Sequence, residues 1–290
     1  MFIKTGIQLS LVCIALLISS CDVFKNDSLN NICQEHPELC DDLYIIADCR
    51  FKRTTVIRAR YYDKIEANEV NKQKLLTELD EYQSCLELTL FLQFTRNKQR
   101  KEYRLSNYLT AQTLMQTHIE ESRGTQDPIL AYYLWTHHQD LQARQVFLAA
   151  ATEKTVSDPR LLFKLARVNS TGTPQDALNL FYKALALSRS TEEIPNSTFL
   201  LIMTIFYQHK KFEEAYIWAL ISLKGDQQNA SPINLDLILK RGVVGGERVI
   251  LNDRNLALIA EQYYQQLKVG KFNEQAPLLQ TPSITKTLIN

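Results

Sequence analysis

An eight-residue pattern recurs along the second half of this 290-residue chain. Residues 143–150, ARQVFLAA, have the form A-x3-F-x2-A, and residues 177–184, ALNLFYKA, repeat it 34 positions later. A third, degenerate copy runs from Ala215 through Ala219 to Ser222, 38 positions further on. Each copy follows an apolar stretch with helical periodicity, at 129–135, 161–168 and 199–207. Two of these stretches open on Asp-Pro, at Asp127-Pro128 and Asp158-Pro159. An aspartate side chain accepts hydrogen bonds from the unpaired N–H groups of a first helical turn, and proline has the φ that its first position needs. The repeating unit is therefore a pair of helices joined by a short turn.

A helix–turn–helix unit of 34 residues with small residues on its second helix resembles the tetratricopeptide repeat, or its Sel1-like cousin. In such a unit the alanines let the two helices approach closely, and the aromatic fills the gap to the next unit. One unit cannot bury its apolar face alone, so units stack into an array. The packing positions are Ala143, Phe147, Ala150, Ala177, Phe181, Ala184, Ala215 and Ala219. Departures from the strict pattern are plain: the Trp, Gly and Tyr of the first helix are missing, loop lengths vary, and Ala219 stands where Phe would. Further on, Ser231-Pro232 starts a short helix through Lys240. The run RGVVGGE, 241–247, lacks the lysine–serine/threonine ending and the preceding strand of a phosphate loop, and reads as a turn between helices. A last helix turns Leu256, Ile259, Tyr263 and Leu267 inward, ends at Gly270 and caps the array. The final twenty residues hold two prolines and few large apolar groups, and read as a loosely ordered tail.

The other end of the chain speaks about address. Lys4 is followed by an apolar run from Ile7 to Ile18, about twelve residues, which is too short for a span of roughly 20 but suits a signal-peptide core. Ile18-Ser19-Ser20-Cys21 then resembles the bacterial lipobox, in which the cysteine thiol is acylated and the chain is cut just before it. Asp22 would become the second mature residue, which by resemblance to enteric lipoproteins leans toward the inner membrane, with the outer membrane as the alternative. The net charge of +1 falls to about zero once Lys4 is removed, so nothing in it draws the protein to nucleic acid. Eight glycines and eight prolines in 290 residues are few against usual frequencies of roughly 7% and 5%, which favours long helices over many short strands.

Cys13 lies within the signal, which leaves Cys33, Cys40, Cys49 and Cys85. An even number outside the cytoplasm reads as two disulfides, with three possible pairings. Cys33–Cys40 with Cys49–Cys85 is preferred, because Pro37 can bend the chain where a continuous helix would hold the first two about 10 Å apart. The rival is a zinc site from Cys33, His36, Cys40 and Cys49, which an oxidising compartment disfavours. From 68 to 95, Leu75, Leu79, Tyr82, Leu86 and Leu90 recur at helical steps, with 86–94 expected deep in the core. A second helix, 98–122, is expected to turn Leu105, Leu109, Met115 and Ile119 inward and to end at Gly124. The two should form a hairpin, tied by Cys85 to the cysteine-rich entry.

Chemistry is hard to find. None of His36, His118, His137, His138 and His209 stands in a metal-protease spacing; His137-His138 and His209 fall in turns. No G-x-S-x-G elbow occurs, no free cysteine is expected to be a nucleophile, and no cofactor or metal is implied. Two basic clusters, 49–60 and 96–104, carry Arg50, Lys52, Arg53, Arg58, Arg60, Arg96, Lys98, Arg100, Lys101 and Arg104. They read first as solvated faces and second as contacts for anionic headgroups.

The lipobox, then NICQEHPELCDDL, then CRFKRTTVIRARYYDK, together resemble the DUF2989 family, gammaproteobacterial proteins of unknown function labelled as lipoproteins. The resemblance rests on Cys33, the run HPELC at 36–40, Cys49 and the arginine-rich segment ending at Tyr61. It implies no activity and transfers no catalytic residue. The expected architecture is all-α: signal peptide 1–20, tether 21–29, cysteine-containing helical subdomain 30–125, TPR-like repeats with a capping helix 126–270, and tail 271–290. The expected role is a lipid-anchored, periplasm-facing scaffold, not an enzyme, that binds an envelope protein. The alternative is an envelope enzyme or ligand-binding lipoprotein with a pocket in the N-terminal subdomain.

Overall fold

The computed structural model describes residues 28–92, 99–152, 156–225, 233–241, 243–244, 247–248 and 253–279. The signal, Cys21 and residues 22–27 lie outside them. The chain is all-α and divides into two compact units, Met1–Arg123 and Gly124–Asn290. No helix among the described residues is long and apolar enough to cross a membrane.

The first unit opens with α1 (Leu29–Glu35), whose Ser28 cap accepts the Asn31 N–H at 3.2 Å, and a 3-10 turn at Pro37–Leu39. Three long helices follow: α2 (Arg50–Ile65), α3 (Glu69–Leu90) and α4 (Gln99–Ser122). Thus α3 and α4 pack as a pair, and α2, spanning the arginine-rich segment, adds a third helix against α3. Its apolar side is short, with Val56, Ile57, Ala59 and Tyr61 buried between basic turns. Cys33 is bonded to Cys40 and Cys49 to Cys85. These bridges consume three of the four residues the zinc reading needs.

Two expectations for this unit are corrected. The described part of the stretch 86–94, which ends at 92, does not lie deep in the core: α3 stops at Leu90, Leu88 is 77% exposed and Phe91 82%, while 93 and 94 lie outside the described residues. Only Leu86 and Thr89 of its last turn face inward. On α4, Met115 and Ile119 are buried, but Leu105 and Leu109 are half exposed. The inward row runs Arg104, Asn107, Ala111, Met115, Ile119 and Ser122. Polar side chains win these places because open backbone waits for them. Asn107 accepts the Tyr44 N–H at 2.8 Å and donates to Tyr44 O at 2.8 Å and to the Tyr82 hydroxyl at 2.9 Å. Arg104 donates to Thr89 O at 3.1 Å and pairs with Asp48. A buried amide that fills its hydrogen bonds loses little, whereas a leucine there would orphan the Tyr44 backbone.

In the second unit, helices pack as successive pairs: α5 (Pro128–His138) with α6 (Leu141–Ala151), α7 (Pro159–Asn169) with α8 (Pro174–Leu187), and α9 (Ser197–Gln208) with α10 (Phe212–Gly225). Asp127 accepts from Ile129 N at 2.9 Å and Leu130 N at 2.8 Å, Asp140 from Gln142 N and Ala143 N, and Asp158 from Arg160 N at 2.8 Å. Ala143, Phe147, Ala177, Phe181, Ala184, Ala215 and Ala219 are buried. Ala150 is not: it is half exposed, and Ala151 takes the buried place. The row on α6 runs at steps of four, Ala143–Phe147–Ala151, so the small residue is displaced by one.

Next come α11 (Leu235–Arg241), the antiparallel strands β1 (Val243–Val244) and β2 (Glu247–Arg248), and α12 (Asp253–Lys268). The RGVVGGE run thus holds a small strand pair where a plain turn between helices was expected. At the centre sits Trp218 of α10, 1% exposed, whose indole N–H donates to the Tyr182 hydroxyl at 2.9 Å. Phe199, Tyr263 and Phe272 ring it at centroid distances of 6.0, 6.2 and 6.1 Å. Phe272 belongs to the tail, which is therefore not loose through 279.

The loop closed by Cys49–Cys85 is longer, with separations of 36 against 7 residues. Chain-entropy considerations predict losses of about 4 kcal/mol for Cys49→Ser with Cys85→Ser, and about 2.5 kcal/mol for Cys33→Ser with Cys40→Ser. Urea unfolding of the two double variants should reproduce that order.

In the second unit, burial pushes the Glu214 carboxyl above its ordinary 4.5, against its own backbone amide and Lys211. Its Oε2 is buried without a hydrogen bond. The unfolded chain gives up this proton at lower pH than the folded one. Stability should therefore fall as pH rises from about 4.5 through the raised folded value, then level off. Glu214→Gln should flatten that segment of a stability–pH curve measured by chemical denaturation.

Candidate functional site

In the second unit a cleft of about 450 Å³ opens at the start of α8, lined by Thr173, Pro174, Gln175, Asp176, His209, Leu278 and Leu279. Its floor follows from local chemistry. Pro174 fixes the first turn of α8, and Asp176 complements the positive end of the helix. His209 is the C-cap of α9, placed by the tight reversal at Lys210, where φ is +60° and the Lys211 N–H reaches back to Phe206 O at 2.9 Å.

The remaining wall is the chain's own tail. After α12 the backbone turns at Gly270, φ +63°, and a Cβ there would lie 2.5 Å from Arg189 O, so only glycine fits. Phe272 then enters the Trp218 cluster, and the chain runs without regular structure to 278. At its end the Gln175 amide holds it at two points. Its Nε2 donates to Pro277 O at 3.3 Å, and its Oε1 accepts the Leu279 N–H at 2.8 Å. The carbonyl of one residue and the N–H two residues on point the same way in an extended chain. One side-chain amide therefore stands in for a neighbouring strand. Ala276 and Leu279 pack partly buried against the core, while Leu278 points outward.

The other sequence candidates lie elsewhere. Arg53 donates to Leu43 O at 2.7 Å and Cys40 O at 2.9 Å, and Arg60 to Leu39 O at 2.9 Å and the Asp42 carboxylate at 2.8 Å. Both thus staple the loop closed by Cys33–Cys40. With Arg104 also turned inward, Arg50 and Arg58 are the exposed arginines of the first basic cluster, and Arg100 and Lys101 lie exposed at the start of α4. Arg96 and Lys98 fall outside the described residues. His36 sits 5.6 Å from the Tyr61 ring and 3.1 Å from Lys64 Nζ. His118 joins Lys72 and Glu121 across α3 and α4. His137 and His138 end α5, with His137 stacked on Tyr133 at 4.4 Å. In the first unit, an open depression on α4 is lined by Gln112, Thr113, Gln116, Thr117, Glu120 and Glu121, and draws no residue from the cysteine loop or the arginine segment.

Gln175 and the tail escaped sequence reading. The one local sign was the apolar run Ala276-Pro277-Leu278-Leu279 in a stretch otherwise poor in large apolar groups.

The profile of a family described as a protein of unknown function, DUF2989, matches residues 18–220. No curated protein and no solved structure matches the chain significantly.

A neutral hydrogen bond contributes about 0.5–1.5 kcal/mol net, up to roughly tenfold in an opening equilibrium. In Gln175→Ala, amide exchange at Leu279 should accelerate by up to about tenfold, while the residues around Phe272 stay protected. Unchanged exchange at Leu279 would mean that the amide does not hold the tail.

Proposed function

The chain belongs to the DUF2989 family, and on that premise we propose that it is a lipid-anchored, periplasm-facing repeat protein that scaffolds another protein of the cell envelope and has no catalytic activity of its own. The anchor is Cys21, acylated after cleavage behind Ser20, and Asp22 inclines the protein to the inner membrane. Two disulfides in a chain this size fit an oxidising compartment.

The observation that carries the binding role is the run of helix pairs α5–α6, α7–α8 and α9–α10. Small and aromatic residues at repeated positions fill their contacts, as in TPR-like arrays. Successive pairs also touch one another, through α5 and α6 with α7 and through α8 with α9, the stacking by which repeat proteins build an extended binding surface. The charge of the mature chain, near zero, supports a protein partner over nucleic acid.

A photo-crosslinking residue placed at Asp176 or His209 in living cells should capture a distinct envelope protein, and one at Glu120 in the first unit should not. Metabolic labelling with a palmitate analogue should mark the wild-type chain and leave Cys21→Ser unmarked. Adducts that form equally at all three positions, or none at any, would contradict the binding role. A labelled Cys21→Ser chain would contradict the anchor.

A further inference from the structure

We infer that the surface at the start of α8 on which residues 276–279 of the chain's own tail lie is a reading site for an extended peptide segment of the partner, of the pattern small–Pro–x–aliphatic. The tail covers that surface as an internal ligand and forms one wall of the cleft beside it. This rests on the protein-binding role proposed above and gives that role its site and ligand chemistry.

The geometry that carries it is the two-point hold of Gln175. Its bonds go to the backbone of Pro277 and Leu279, so the contact suits any chain that passes in the same extended form. Sequence enters through what lies beside it. Leu279 and Ala276 lodge partly buried against the core, so the site takes a small residue and an aliphatic three positions apart. Proline between them favours the extended form and lowers the ordering cost of a bound segment. Leu278 faces outward and leaves its place tolerant.

The tail also divides into two parts with different jobs. Phe272 is fully buried in the aromatic cluster and is as much core as Trp218. Residues 276–279 lie four to seven positions beyond that anchor, bonded to Gln175 and partly buried. They can lift away while Phe272 stays in place. A tethered segment competes at an effective concentration in the millimolar range, so it lowers the apparent affinity for an outside peptide by the fraction of time it covers the site. A segment of the partner that matches the pattern better displaces it.

The test uses the mature chain and a labelled synthetic peptide of the tail's own sequence, NEQAPLLQ, residues 273–280. Three proteins are compared: the full mature chain, a chain ending at Gln275 that keeps Gly270 and Phe272, and the full chain with Leu279→Asp, which loosens the tail without removing it. Near-UV circular dichroism checks that each retains its aromatic core. Both opened proteins should bind the peptide at least about tenfold more tightly than the full chain. Adding Gln175→Ala to the chain ending at Gln275 should then weaken binding about tenfold or more. Folded opened proteins that do not bind the peptide at millimolar concentration would overturn the inference. So would binding that ignores Gln175→Ala. Failure here with a partner still crosslinked in cells would spare the scaffold role and remove only this site. Peptide binding without any crosslinked partner would leave the site and remove the scaffold role.

Discussion

The indole of Trp218 and the hydroxyl of Tyr182, joined at 2.9 Å inside a ring of aromatic side chains, set the positions of nearly everything at the end of the second unit. A buried indole N–H without an acceptor is costly, and burial holds the Tyr182 hydroxyl in its neutral, hydrogen-bonding form, far above its usual range. Around that pair, Phe199 brings in α9, Tyr263 brings in α12, and Phe272 brings in the tail. Phe272 fixes the point from which the next residues set out. They run to the start of α8, on the same helix as Tyr182, where Gln175 meets them.

The first unit is organised by a different economy. Its polar interior works because nearly every buried donor finds backbone oxygen. Arg53 and Arg60 satisfy four carbonyls of the short loop between Glu38 and Leu43, and Asn107 completes Tyr44. Two disulfides close the same region covalently. The arginine-rich run and the HPELC run, separate as strings of letters, are one object in space. Two of its basic residues, Arg53 and Arg60, serve the loop, which removes them from any role at a membrane surface.

These partnerships explain which features were legible in the sequence. Helices α5, α7 and α9 were, because apolar periodicity marks all three and two open on aspartate caps, signals confined to a few neighbouring residues. So was a bend at Pro37 compatible with Cys33–Cys40. The facing of α4 was not. An apolar count selects Leu105 and Leu109, while the place goes to Asn107, whose partner Tyr44 lies 63 positions away. The hold of Gln175 on Pro277 and Leu279 spans 102 and 104 positions and leaves no periodic trace. The packing of Phe272 is likewise settled only when four elements meet around Trp218. Local rules reach caps and stripes; contacts between a polar side chain and distant backbone need the fold.

The most direct measurement is the nuclear magnetic resonance signal of the Gln175 side-chain amide in the mature chain, with and without the peptide NEQAPLLQ. If that amide reads extended backbone, its protons are protected from solvent and show cross-relaxation to the Leu279 N–H. An excess of isotopically distinct peptide then replaces that contact with an intermolecular one. Rapidly exchanging Gln175 amide protons, or an intramolecular contact that the peptide never displaces at millimolar concentration, would contradict it.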